Sequence, residues 1–318
     1  MGANRDKVIQ FMDKANQNGG RKQNVSTWDF SSLYTNIPHD KLKVKVAMFI
    51  RRIFNLVSDS KKSEVFVTCP IKGKKAYFSK SRSTVNVSFS AEELIKHVRL
   101  IIDNSFIIFS DNIYRQVVGI PMGTNCAPYL ANIFLHMYEY EYLKKLVEEG
   151  NTRVAKLLGQ TFRYQDDCIA FNDDNTFRHH YGHIYPPEMQ LENTNSSAAV
   201  CTFLDLRISV FRGRFRYKSY DKRKDFGFEI CNYPNLSGNI PWRGAYGVFM
   251  SQLVRFCDIN QNKNDFVNDI QTMTLKFVNQ GFDKKMLKEV FLTFVTKYFY
   301  RWSKYGDNII TSCSKLFD

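Results

Sequence analysis

The segment TFRYQDDCIAF sets two adjacent aspartates, Asp166 and Asp167, in the middle of a run that is otherwise β-prone or apolar. A strand cannot carry two neighbouring carboxylates through a core, because each unpaired charge would have to be desolvated. The chain must turn there, so the pattern predicts strand, turn and strand centred on residues 165–167. Alone, such a turn is ordinary, since aspartate makes turns readily. A second acid in a similar setting changes its meaning: VSTWDF reads as a short strand that stops at Asp29. Carboxylates brought together from two adjacent strand ends can hold two Mg²⁺ ions ~4 Å apart, activating an attacking oxygen and neutralising a leaving phosphate. Hard oxygen donors suit that ion.

The periodicity around these acids predicts the remaining elements. Residues 39–57 carry Leu42, Val46, Phe49, Ile50 and Ile53 at helical spacing, with Pro38 at the start. A second amphipathic helix is expected over 91–104, followed by two β-prone runs flanking Ser110, Asp111 and Asn112. A long helix is expected from about Ala127 to Val147, which has no glycine or proline after Pro128. Residues 201–233 read as strand-rich, and helical patterns return over 245–257, 263–279 and 284–300. This order fits an α+β fold, an antiparallel sheet with helices on one face and an α-helical tail. The expected division is a polar segment at 1–26, the mixed domain at 27–240 with a basic insert near 60–90, and helices at 241–318. Within that insert the run Lys72 to Lys75 suggests a basic hairpin.

Hydrophobic residues at 44% and aromatics at 15% exclude intrinsic disorder. Lysine and arginine exceed aspartate and glutamate by 45 − 31 = 14, an imbalance that points to a polyanionic partner. Arg207, Arg212, Arg214, Arg216, Lys218, Lys222, Arg223 and Lys224 interleave with Phe211, Phe215, Tyr217 and Tyr220. Strand alternation would put those cations on one face, where they could follow a sugar–phosphate backbone or simply keep an edge solvated. Seven scattered cysteines without a C-x-x-C pair indicate neither a disulfide framework nor a zinc knuckle. FRHHYGH gathers His179, His180 and His183, but tetrahedral zinc needs a fourth ligand and the nearest cysteine is Cys168, so a polar loop is the expectation. With no signal peptide, a myristoylation pattern broken by Asp6 and no membrane-spanning apolar stretch, an intracellular soluble protein without a membrane partner is expected.

The ordered motifs resemble those of a reverse transcriptase, and most closely the Penelope-like retroelements. DFSSLYTNIP resembles motif A, YRQVVGIPMGTNCAPYLANIFL motif B and FRYQDDCIAF motif C; FLDLRI resembles the primer-contacting region, and NYPNLSGNIPWRGAYGVFMSQLVRFCDI the entry to the thumb. The likeness covers about residues 25 to 300 and implies a polymerase palm followed by a helical thumb. It implies an RNA-directed DNA polymerase, a nucleotidyltransferase that extends a DNA primer on an RNA template with dNTPs. Asp29 and Asp166, with the Phe30 carbonyl, would hold two Mg²⁺ or Mn²⁺ ions, with Asp167 as companion carboxylate. Ser32 and Leu33 would meet the triphosphate through their amides. Tyr34 would be the steric gate against a ribose 2′-hydroxyl, and Met122 and Gly123 would line the nascent pair. Gln116, Leu206, Arg207, Arg212, Arg214 and Arg216 would contact primer or template. Nuclear location would follow for a eukaryotic retroelement.

Motif A begins 28 residues into the chain, so the triphosphate clamp of a fingers region is expected from a separate segment or protein, or from the stretch Lys72 to Arg82. No lysine occurs between Leu157 and Tyr217, so Arg178, the histidine group or water would have to serve as general acid. The alternative function is a palm-derived nucleic-acid-binding protein with weak or absent catalysis. An RNA-synthesising polymerase is disfavoured by Tyr34.

Overall fold

A computed structural model describes residues 5–18, 24–71, 73, 75–171, 175–195, 197, 199–228, 230 and 232–317. Lys72, Lys74 and Cys231 lie outside the described residues. In chain order the elements are α1 (Arg5–Gln17), β1 (Val25–Phe30), α2 (Leu33–Asn36), α3 (His39–Lys61), β2 (Phe66–Cys69), β3 (Tyr77–Ser79), β4 (Val87–Phe89) and α4 (Ala91–Asp103). There follow β5 (Phe106–Phe109), β6 (Asn112–Arg115), α5 (Ala127–Glu148), α6 (Thr152–Leu158), β7 (Thr161–Tyr164), β8 (Asp167–Phe171), α7 (Thr176–Ile184) and β9 (Leu191–Asn193). The last elements are β10 (Val200–Phe203), β11 (Leu206–Phe211), β12 (Arg214–Ser219), α8 (Trp242–Ile259), α9 (Lys263–Asn279), α10 (Lys284–Lys297), α11 (Phe299–Trp302) and α12 (Asn308–Ser314). The chain divides into two compact units, one built on Trp28–Thr194, the other on α1 together with everything from Asn195 onward.

The first unit is organised by a four-stranded sheet in the order β7-β8-β1-β9. Its core gathers Trp28, Phe30, Leu42, Val46, Ala131, Phe134, Cys168 and Phe177, so α3, α5 and α7 bury their apolar stripes with the strands. Trp28 meets the Phe177 ring at 5.8 Å, and Phe30 meets that of Tyr185 edge-on at 4.9 Å. FRHHYGH is therefore helical rather than a loop, because Phe177 and Ile184, seven residues apart, both enter the core. α4 starts with a reciprocal cap: Ser90 accepts from the Glu93 amide and the Glu93 carboxylate accepts from the Ser90 amide. The basic insert forms a three-stranded sheet, β3-β2-β4, and Arg82 at its end is paired with both oxygens of Glu93 at 2.8 and 2.9 Å.

In the second unit β10, β11 and β12 form an antiparallel sheet whose buried row includes Cys201, Phe203, Leu206, Ile208, Phe215 and Tyr217. The N-terminal segment, expected only to be polar, contributes α1: Val8 and Met12, one turn apart, are fully buried. Asn16 completes the docking by donating to the Phe215 carbonyl (2.9 Å) and accepting from the Phe215 amide (2.8 Å), as a neighbouring strand would. The final helices share this unit with β12. The Ser219 amide donates to Asn260 at 3.0 Å and Lys218 pairs with Asp265 at 3.5 Å. Strand structure ends at Ser219, short of the expected 233, where an Asp221 cap opens a 3-10 turn over Lys222–Asp225. Phe291, Phe294 and Trp302 of the aromatic tail are buried, while Phe299 and Tyr300 are exposed.

Candidate active site

The three aspartates belong to one sheet. β7 and β8 pair from Thr161↔Ala170 to Tyr164↔Asp167, which leaves Gln165 and Asp166 as the turn and Asp167 as the first residue of β8. Gln165 takes a left-handed φ of 53°, unusual for a residue with a Cβ. The Phe30 amide donates to the Asp166 carbonyl at 3.1 Å, so the end of β1 that bears Asp29 is tied directly to the acidic turn. Asp29, Asp166 and Asp167 are each half-buried. Burial pushes the Cys168 thiol well above its ordinary range; Arg163 opposes the shift, and Glu139, Asp167 and Asp29 add to it. Among the described residues no three histidine, cysteine, aspartate or glutamate side chains gather into a ready metal cluster. The donor set fits Mg²⁺ nonetheless, because that ion is bound through one or two carboxylates and completes its shell with water and substrate phosphate.

After β1 the backbone reverses at Ser32, with φ 63°, and enters α2, which is anchored by the buried side chains of Leu33 and Ile37. Tyr34 is left half-buried. Burial first, then the negative charge of Asp166, raises its phenol above the usual tyrosine range, placing the ring within electrostatic reach of the acidic turn. A Gly-rich loop, GIPMGTNC at 119–126, packs against α2: the Ile120 amide donates to the Tyr34 carbonyl at 2.6 Å and the Gly119 amide to the Ile37 carbonyl at 2.8 Å. His39 Nε2 donates to the Gly119 carbonyl at 2.7 Å. Gly119 has φ +81°, and a Cβ there would lie 2.6 Å from the Tyr34 carbonyl oxygen. Gly119 thus serves the chain's own turn against α2. Gly123, with φ +102°, faces open space, and Met122 beside it is 74% exposed. A mainly apolar cavity of about 550 Å³ lies behind the loop, lined by Leu42, Ile102, Gly119, Pro121 and Leu130 among others, and the three aspartates are not part of its wall.

Beneath the acidic turn lies a buried network that the sequence did not reveal. Arg163, 1% exposed, donates Nε to Glu139 Oε1 at 2.5 Å and Nη1 to both Asn132 Oδ1 (2.7 Å) and the Gln165 carbonyl (3.1 Å). The Tyr185 hydroxyl donates to the same Glu139 at 3.0 Å. Burial alone would raise the Glu139 carboxyl, but Arg163 outweighs it and holds the group below its ordinary range; the same attraction keeps Arg163 charged. α5 supplies Asn132 and Glu139, β7 supplies Arg163, and the segment after α7 supplies Tyr185.

All the primer-contacting candidates but Gln116 lie in the second unit. On β11 and β12 the register Arg207↔Lys218, Ser209↔Arg216 and Phe211↔Arg214 sets Arg207, Arg214, Arg216 and Lys218 on the exposed face, opposite the buried Phe215 and Tyr217. Arg212 and Gly213 form the connecting turn, both at positive φ. Arg216 and Arg212 stack on the Phe211 ring at 4.4 and 5.2 Å. Leu206 is completely buried, so its side chain belongs to the core, and Arg207 is the exposed member of that pair. Gln116 is half-buried in the first unit and donates to the Val118 carbonyl at 2.9 Å. Asp205, in the turn before β11, accepts from Arg5 and Arg255, each at 3.0 Å.

No protein-family model matches this chain, and no curated protein matches it in sequence. Among solved structures, the telomerase of Candida albicans in complex with a TWJ fragment of telomeric RNA matches with TM-score 0.60 and 11% identity, covering 100% of this chain and 52% of that one. The apo telomerase of Candida tropicalis matches with TM-score 0.46 and 11% identity, covering 98% and 49%. The chain thus spans about half the length of these structures. The fold defined by the first likeness is reverse-transcriptase-like, a mixed α/β fold with antiparallel sheets. No helix among the described residues is long and apolar enough to cross a membrane.

Proposed function

We propose that this chain is an RNA-directed DNA polymerase of the Penelope-like kind, with residues 27–240 as palm and the helices of 241–318 as thumb. The observation that carries the reading is the bond from the Phe30 amide to the Asp166 carbonyl, which joins the two acidic strand ends in one sheet. Asp29, Asp166 and the Phe30 carbonyl would hold Mg²⁺, with Asp167 alongside; the metal, when bound, supplies positive charge for an attacking 3′-hydroxyl and a departing pyrophosphate. Tyr34, set by α2 and its bond from Ile120, excludes a 2′-hydroxyl and so selects dNTPs. Met122 and Gly123, exposed at the head of the loop, form the floor for the nascent pair. The cations of β11 and β12 neutralise backbone phosphates of RNA template and DNA primer irrespective of sequence. RNA is the partner in the Candida albicans telomerase complex, and the net charge of +14 accords with the same class of partner here. A fingers-bearing segment or protein would complete the triphosphate clamp.

The second reading is nucleic-acid binding with little catalysis, which the exposed cationic face of β11 and β12 would serve equally well. Primer extension on RNA and DNA templates, with dNTPs or rNTPs in millimolar Mg²⁺, decides between them. Polymerase function predicts dNTP-dependent extension on RNA. Tight primer–template binding without extension would establish the second reading.

A further inference from the structure

We propose that Arg163 is a positioning residue, a buried fork that holds the Asp166–Asp167 turn at the height required to share a metal with Asp29; the proposal deepens the polymerase reading and rests on it. Three observations converge. The turn is held in a conformation its residues do not favour, since Gln165 sits at φ 53° without being glycine. The carbonyl of that residue accepts from Arg163 Nη1 at 3.1 Å, while the next carbonyl, of Asp166, accepts from Phe30. The turn is therefore pinned at two consecutive peptide groups, one by β1 and one by a guanidinium. That guanidinium is itself fixed from the other side, by Glu139 at 2.5 Å and Asn132 at 2.7 Å on α5.

The network also reaches the strand bearing Asp29. Tyr185, which donates to Glu139 at 3.0 Å, packs its ring on that of Phe30 at 4.9 Å. One ionic cluster thus touches the end of β1, the helix that follows the Gly-rich loop, and the acidic turn. A buried ion pair is a weak source of stability compared with apolar packing of the same volume, so its presence here is better matched to fixing geometry. Only arginine can do this: its planar fork bonds a carboxylate through one edge and two carbonyl oxygens through another, whereas lysine offers a single point charge.

Two variants test the role. Arg163→Met/Glu139→Leu/Tyr185→Phe replaces the whole cluster by apolar groups of similar volume and leaves no lone charge, so its melting temperature should stay near that of the wild type. Arg163→Lys keeps the charge opposite Glu139 but loses the fork. Mn²⁺ affinity, read by electron paramagnetic resonance, should weaken about 10-fold in both, and kcat for primer extension should fall about 30-fold with primer–template affinity unchanged, the range expected when an outer partner of a metal ligand is lost. Adding Gln165→Asn, which tolerates left-handed backbone, should recover part of the loss in the apolar variant. The proposal is overturned if Mn²⁺ affinity and kcat are unchanged, or if activity falls only in step with melting temperature while Mn²⁺ affinity holds. A wild type that binds Mn²⁺ through Asp29 and Asp166 yet extends no primer would defeat the polymerase reading alone, leaving Mn²⁺ affinity to judge Arg163. A wild type whose Mn²⁺ binding ignores Asp29→Asn and Asp166→Asn would defeat both.

Discussion

Tyr34 carries two loads: its ring lies within reach of the Asp166 charge, and its backbone carbonyl receives the Ile120 amide at 2.6 Å. Truncating the ring leaves the backbone bond in place, so Tyr34→Ala should raise the rNTP to dNTP ratio of kcat/KM by at least about tenfold, equivalent to ~1.4 kcal/mol of lost discrimination. Unchanged discrimination with a melting drop worth ~3 kcal/mol would make the ring a packing residue only. Gly119→Ala attacks the same junction from the other side. Its Cβ would meet the Tyr34 and Thr35 carbonyl oxygens at 2.6 and 2.7 Å, and neither belongs to a side chain that can swing away. We expect a loss of about 3 kcal/mol in urea unfolding from overpacking and left-handed strain; a loss below about 1 kcal/mol would contradict the packing described. The position of the three acids at strand ends was legible because an unpaired carboxylate cannot continue a buried strand. Arg163 was not, because TFRY buries Thr161 and Arg163 while exposing Tyr164, the reverse of what hydrophobicity suggests. Its partner Glu139 stands 24 residues away on another element, where only the fold brings it close.

Among the elements, the β11–β12 hairpin makes the clearest prediction. Neutralising Arg212, Arg214 and Arg216 together removes cations from the exposed turn and face but leaves the buried Phe215 and Tyr217 untouched. The slope of log Kd for primer–template against log salt should become shallower by about 3 units, near one counterion for each of three phosphates no longer neutralised, with no change of sequence preference. An unaltered slope would place nucleic acid elsewhere. On α5, His136 is half-buried between Phe49 and Tyr140, and burial holds its pKa below the ordinary histidine range. Because the unfolded chain takes up this proton at higher pH than the folded one, the group's contribution is complete above about pH 7 and declines as pH falls through ~6.5. His136→Phe should flatten the stability profile between about pH 5 and 7; a profile identical to wild type would show that His136 is not the group responsible. Helices α3, α4, α5 and α9 were legible from the 3.6-residue repeat and fall within a few residues of expectation. α1 was not, since Val8 and Met12 are too few to mark an amphipathic stripe, and the docking on β12 through Asn16 depends on a strand about 200 residues later.

At the scale of the whole molecule, the composition changes near residues 234–244, yet the second compact unit begins at Asn195 and takes α1 with it. A shift in residue usage marks where strands give way to helices; packing follows different lines, because β12 and the C-terminal helices share hydrogen bonds such as Ser219 to Asn260. The order of acidic and glycine-rich motifs is a one-dimensional signature and survives in the sequence, whereas the joint between the acidic turn and β1 exists only after folding. One comparison bears on that joint above all: single-turnover extension of a DNA primer on an RNA template in saturating Mg²⁺ by the wild type, Asp29→Asn and Asp166→Asn, with melting temperature and primer–template affinity measured alongside. Loss of either anionic ligand should remove several kcal/mol of stabilisation at the reacting phosphate, slowing extension by at least about 10³-fold while melting and affinity stay near wild type. Extension within about threefold of wild type by either variant, on the same tenfold-per-1.4 kcal/mol scale, would contradict it.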